Sequence, residues 1–181
     1  ADPFNQAERI VTYARFQKRG ELQKKHRQAW ADLWESDIII EGDLQAQKEI
    51  RSMLYHLYSF SREGIAQSLS PMGLSGLGYN GHVFWDTEMF RMPPMLMLQP
   101  QMARSMLEYR FERLEEARKN AASYGYAGAM FPWESASTGA EDCPVTSLAG
   151  TFQHHVTADV AIAFWNYWLA TQDREWLETR G

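Results

Sequence analysis

Three sets of residues recur at intervals of three and four along the chain, and they constrain its fold more than any other feature. The first is Gln47, Ile50, Met53, Leu54, Leu57 and Tyr58; the second Met102, Met106, Leu107, Phe111 and Leu114; the third Val156, Val160, Ala163, Phe164, Tyr167 and Trp168. That spacing turns one face of an α-helix toward a core, and no run of alternating apolar and polar residues competes with it. Strands do not alternate with helices, which excludes a doubly wound sheet, and no repeat supports a solenoid. The expected fold is all-α, in a single unit without an internal domain boundary, its 45% hydrophobic composition being enough for a sizeable core.

Capping residues mark where the helices begin and end. Residues 4–34 read as helical, interrupted at Gly20, with Phe4, Tyr13, Phe16, Trp30 and Trp34 turned inward. Ile38, Ile39 and Ile40 suggest a short extended piece, Asp43 a helix N-cap and Gly64 a stop. A helical section begins near Asp86 and is disturbed by Pro93 and Pro94; a cleaner helix runs from Pro100 to Ser123, with Gly125 at the C′ position. The last helix is expected to be capped at or slightly before Thr157. Methionines clustered between residues 72 and 106 read as adaptable core filling. Between the helices lie connections too long for a minimal bundle. One of them, SPMGLSGLGYNGHVF at 70–84, holds glycine at a density that a helix or central strand would not tolerate. Long shaped connections of this kind carry sites.

Several functions are excluded or disfavoured. The net charge of −5, with no basic stripe, argues against nucleic acid as a partner. Apolar runs are too short for a bilayer span, so no membrane association is expected, and the opening ADPFNQAERI shows no signal peptide. Cys143 is the only cysteine; with no HExxH and no Cys/His array, neither a disulfide nor a metal site is expected. A phosphate-binding loop and a G-x-S-x-G elbow are absent, and GLSGLG lacks the preceding strand of a dinucleotide site.

Two connections repeat one chemical arrangement. GYNGHVFWDTE, residues 78–88, places Trp85 before Asp86; GYAGAMFPWESASTG, residues 125–139, places Trp133 before Glu134. An indole face beside a fixed carboxylate suits a sugar, whose ring has an apolar face and a rim of hydroxyl groups. The structural explanation of the first pair is a helix start, with Asp86 as N-cap and Trp85 and Phe90 as a hydrophobic staple. His82, Glu88, His154 and His155 lie close by in sequence and are candidates for shaping the cleft.

The stretches GYNGHVFWDTEMF, YGYAGAMFPWESASTGAE and HHVTADVAIAFWNYWLATQDREWL, preceded by HRQAWADLWESDIIIEGDLQAQKEIRSMLYHLY, resemble in the same order the catalytic domain of glycoside hydrolase family 65, which includes maltose, kojibiose and trehalose phosphorylases. The resemblance covers most of residues 20–181. It implies part of an (α/α)6 barrel whose long loops build a sugar cleft, with Trp85 and Asp86 at the donor glucosyl unit and Trp133 and Glu134 at the neighbouring sugar. His82, Glu88, His154 and His155 receive no defined role from it.

The resemblance further implies inversion at the anomeric carbon, no cofactor, and an α-glucoside disaccharide as ligand. In a phosphorylase, inorganic phosphate is the co-substrate; in a hydrolytic relative, water takes its place. Family members carry their general-acid glutamate and phosphate-binding residues in a later segment not recognisable here. The expectation is therefore a phosphorylase fragment without turnover of its own, since proton donation to the leaving group contributes roughly two to four powers of ten. An inverting hydrolase fragment and a non-catalytic carbohydrate-binding module are the alternatives. Helix faces left uncovered would favour self-association.

Overall fold

The computed structural model describes residues 2–74, 76 and 78–181, so Ser75 and Leu77, within the expected 70–84 connection and the GLSGLG segment, lie outside the described residues. The chain divides into two compact units, one ending at Asp37 and the other spanning Ile38–Gly181. The first holds α1 (Pro3–Phe16) and α2 (Arg19–Leu33). The break between them falls at Gln17 and Lys18 rather than at Gly20, which sits inside α2. The inward turn expected of the aromatics is not found in α1. Phe4, Tyr13 and Phe16 are all exposed, because no residue of either helix is deep enough to act as a core.

The second unit begins with Ile38–Ile40, which form no strand. The Gln47 side chain takes the place of a neighbouring strand: its Oε1 accepts from Ile40 N–H at 2.6 Å and its Nε2 donates to the Ile38 carbonyl at 2.9 Å. Asp43 caps α3 (Leu44–Phe60) as expected, accepting from the amides of Gln45 and Ala46. α3 ends at Phe60, before Gly64, and turns Leu54 and Tyr58 into the core while Met53 stays exposed.

After the two-residue strand β1 (Val83–Phe84) comes a widened π-type turn at Thr87–Arg91, then α4 (Met92–Leu98) and α5 (Pro100–Phe111). Pro93 and Pro94 have no N–H to offer the carbonyls of Met89 and Phe90, and the widened turn falls where those carbonyls lie. α5 packs against both α4 and α8 (Val156–Thr171), with Met92, Met95, Ala103, Met106, Leu107 and Val160 buried between them. The continuous helix expected over 100–123 is broken at Glu112 and Arg113, with α6 running Leu114–Ser123. Tertiary contacts recruit Arg113: its guanidinium stacks 3.8 Å over the Tyr109 ring and donates to the Tyr109 and Ser137 carbonyls.

α6 closes in a Schellman motif. Gly125, at φ +78, donates to Ala122 and Tyr126 donates to Ala121, which fulfils the C′ expectation. The strand β2 (Glu134–Ser135), the short α7 (Ala149–Phe152), α8 and α9 (Arg174–Arg180) complete the unit. The N-cap position of α8 is His155, which makes no side-chain cap; Thr157 already lies inside the helix, where its hydroxyl accepts from Phe131 N–H and anchors the second loop. α9 was not legible from periodicity. It buries Trp176 against Phe164 and Tyr167, and the indole donates to Glu108. Among the described residues no helix is long and apolar enough to cross a membrane.

Candidate functional site

β1 and β2 pair antiparallel, Val83 opposite Ser135 and Phe84 opposite Glu134. This two-rung ladder joins the two loops that carry the aromatic–carboxylate pairs. Trp85 and Trp133 follow and precede the ladder respectively, and their ring centroids lie 5.9 Å apart. His155 stands edge-on to both indoles, at 4.9 Å from Trp85 and 5.8 Å from Trp133, so the start of α8 contributes a third aromatic ring. Its Nδ1 pairs with Asp159 one helical turn on, at 2.6 Å, which orients the imidazole. Four of the eight expected residues, Trp85, Trp133, Glu134 and His155, thus meet around one short ladder, with Asp86 adjoining and His82 bonded to Glu134.

Asp86 occupies the N-cap position of the widened turn without capping it. Its backbone is already helical at φ −51 and ψ −32, and the next amides, of Glu88 and Met89, donate to the Trp85 carbonyl instead. The staple does form, with Trp85 and Phe90 rings 5.7 Å apart. Among the described residues the Asp86 carboxylate accepts no hydrogen bond. Its charge acts on Arg91, whose pKa is lowered by burial while Asp86 offsets part of that effect. Arg91 is itself committed to the carbonyls of Ser70 and Pro71.

Glu88, two residues on, is committed elsewhere. It is buried and forms a bidentate pair with Arg110 of α5, at 2.7 and 2.9 Å. Burial pulls the Arg110 pKa down, but the Glu88 carboxylate outweighs it and leaves the group above its ordinary value, so the guanidinium stays charged. His154 also faces elsewhere, edge-on to Tyr124 and Tyr126 with Nε2 at 2.8 Å from the Thr151 carbonyl.

The second loop is shaped by a residue that the motif reading passed over. The Glu141 carboxylate accepts from the amides of Trp133 (2.7 Å), Glu134 (3.0 Å) and Cys143 (3.1 Å). It thereby satisfies backbone donors that the two-residue strand leaves open. Tyr109 closes the other side, its hydroxyl meeting Ser135 Oγ at 2.8 Å and donating to the Ala136 carbonyl at 2.9 Å. A glutamate in the stretch after an aromatic–carboxylate pair was visible in sequence, but nothing local showed which amides it would reach.

Behind the ladder a cavity of about 400 Å³ is lined by Asn80, His82, Tyr109, Arg113, Ser135 and Ser137, among others. A larger concavity, about 680 Å³, lies away from the tryptophans, between α3 and residues 71–74. Among the described residues no three His, Cys, Asp or Glu side chains converge to hold a metal ion.

Fold and site together define an all-α protein whose helix-connecting loops meet in a cluster of indoles and carboxylates. The chain belongs to glycosyl hydrolase family 65, whose central catalytic domain matches residues 51–181. It is 62% identical to a kojibiose hydrolase of Flavobacterium johnsoniae over 99% of this chain and 26% of that protein. Its identity to a kojibiose phosphorylase of Thermoanaerobacter brockii is 43%, over 89% of this chain and 22% of that one. A solved structure described as "Putative kojibiose phosphorylase from human microbiome" superposes with a TM-score of 0.86, covering 100% of this chain and 26% of its own at 24% identity. That likeness shows the fold, a partial (α/α)6 barrel. The chain spans about a quarter of the length of the curated relatives it matches.

Proposed function

We propose that residues 38–181 form one wall of the sugar cleft of a family 65 enzyme that cleaves an α-glucosyl disaccharide of the kojibiose type. In this reading Trp85 and Asp86 meet the donor glucosyl unit, and Trp133 and Glu134 meet the neighbouring sugar. The observation that carries it is the ladder between Phe84 and Glu134, which brings both aromatic–carboxylate pairs into one cluster although they are far apart in sequence. Indole faces supply apolar surface for sugar rings, and carboxylates accept from hydroxyl groups.

The resemblance to phosphorylases favoured inorganic phosphate as the attacking group. The identity of 62% and 57% to two kojibiose hydrolases, against 43% to kojibiose phosphorylases, supports water instead. Phosphorolysis is the second reading, with phosphate as co-substrate. The test is product analysis of the full-length protein on kojibiose, maltose and trehalose with and without phosphate. Phosphate-independent glucose from kojibiose is expected; glucose 1-phosphate formed only with phosphate would overturn the hydrolytic reading. Turnover by residues 1–181 alone would remove the need for further catalytic groups.

The outer face of α8 exposes Ile162, Trp165 and Leu169, and this supports self-association of the 181-residue chain. Sedimentation velocity over a concentration series should show a dimer or larger species; a monomer throughout would sink that idea.

A further inference from the structure

The Glu134 carboxylate is almost wholly buried, and a buried carboxylate needs a donor. Among the described side chains that donor is His82, whose Nδ1 lies 2.9 Å from Glu134 Oε1. The other ring nitrogen, Nε2, faces Asp142 Oδ2 at 3.5 Å. Both nitrogens of a largely buried imidazole are therefore turned to protein carboxylates, whereas Glu134 Oε2 takes no hydrogen bond among the described residues.

Local backbone explains how His82 comes to be there. Tyr79, Asn80 and Gly81 all adopt positive φ (57, 52 and 74°), an unfavourable run for the two residues that carry a Cβ. The turn is closed by His82 N–H donating to the Tyr79 carbonyl at 2.8 Å. β1 starts at the next residue. Since Phe84 is directly opposite Glu134, His82 lies two residues back on the same face, the diagonal position from which a long side chain reaches its cross-strand neighbour.

We propose that His82 is a positioning residue. Its imidazole, steadied by Asp142, holds Glu134 Oε1 so that Oε2 is presented to a hydroxyl of the sugar next to the donor glucose, which makes the Asp142–His82–Glu134 chain a determinant of selectivity for the leaving sugar. The inference rests on the proposed role of Glu134. It assigns His82 no contact with substrate.

The test compares kcat/KM of the full-length protein on kojibiose with that on α-glucosyl fluoride, which has no second sugar. His82→Leu should lower the ratio of the two about tenfold, the size of one hydrogen bond to a charged group. His82→Asn, which keeps an N–H donor near the Nδ1 position, should restore most of it. An equal loss on both substrates, or no recovery with asparagine, would overturn the proposal, because a merely structural histidine gives that pattern. Glu134→Gln separates the two levels of the argument. If it leaves the ratio unchanged, Glu134 does not serve the second sugar and the functional reading itself fails. If it lowers the ratio while a folded His82→Leu protein keeps the wild-type value, only the role of His82 falls. Should His82→Leu not fold, Asp142→Asn, at an exposed carboxylate, is expected to reduce the ratio about twofold, and an unchanged ratio would count against the chain.

Discussion

Trp85–Asp86 and Trp133–Glu134 share one pattern, an indole followed by a carboxylate, yet the fold treats the two acids in opposite ways. Glu134 is buried, bonded to His82, and sits on a backbone whose amides are held by Glu141. Asp86 is half-buried, accepts no hydrogen bond among the described residues, and shares an electrostatic interaction with Arg91. One acid is set in place before any ligand arrives; the other retains its full capacity to accept. A matching pair of motifs thus does not mean a matching pair of roles, and the surroundings of each carboxylate separate them.

The sharpest way to test that contrast uses a third acid, Glu88, two residues beyond Asp86. Glu88→Ala strands the buried Arg110 charge and should cost about 3–5 kcal/mol of stability, read from chemical denaturation. Asp86→Asn, in contrast, should leave the denaturation midpoint near wild type while weakening the binding of α-glucoside by about 10–100-fold, measured by titration of the full-length protein. A stability loss as large as that of Glu88→Ala would show that Asp86 is structural after all. Glu141→Gln should cost about 2 kcal/mol and blunt the near-ultraviolet signal of Trp133, because three amides lose a charged acceptor. Smallest is Gly139→Ala. The position has φ +91, and an added Cβ would stand 2.6 Å from Arg113 Cβ, so a loss of about 1 kcal/mol or more is expected in thermal unfolding.

What could be read from the sequence was local. The Asp43 cap, Pro100 at the start of α5, the Gly125 stop and the inward Met102, Met106 and Leu107 all follow from neighbours within a few residues. The repeated indole–carboxylate pairs marked the two loops, and family resemblance identified the family. What was not legible depends on partners distant in the chain. Arg113 leaves its helix to stack on Tyr109 and bond Ser137, Thr157 falls inside its helix and serves Phe131, and Glu88 reads as a neighbour of the indole–carboxylate pair until Arg110 is found opposite it. α1 shows the converse: its apolar spacing promised a buried face, and none of its residues is buried.

The ladder between Val83–Phe84 and Glu134–Ser135 also bears on the order of assembly. Helices of this length form from local contacts, whereas His82 and Glu134 are separated by 52 positions and must find each other across an intervening stretch that contains three helices. A partly folded chain, of the kind produced by mild acid, could therefore keep nearly all its far-ultraviolet helicity while possessing no cluster of indoles. Helical content would overstate competence in such a sample, and the exciton-sensitive region of Trp85 and Trp133 would be the truer gauge of whether the molecule has finished folding.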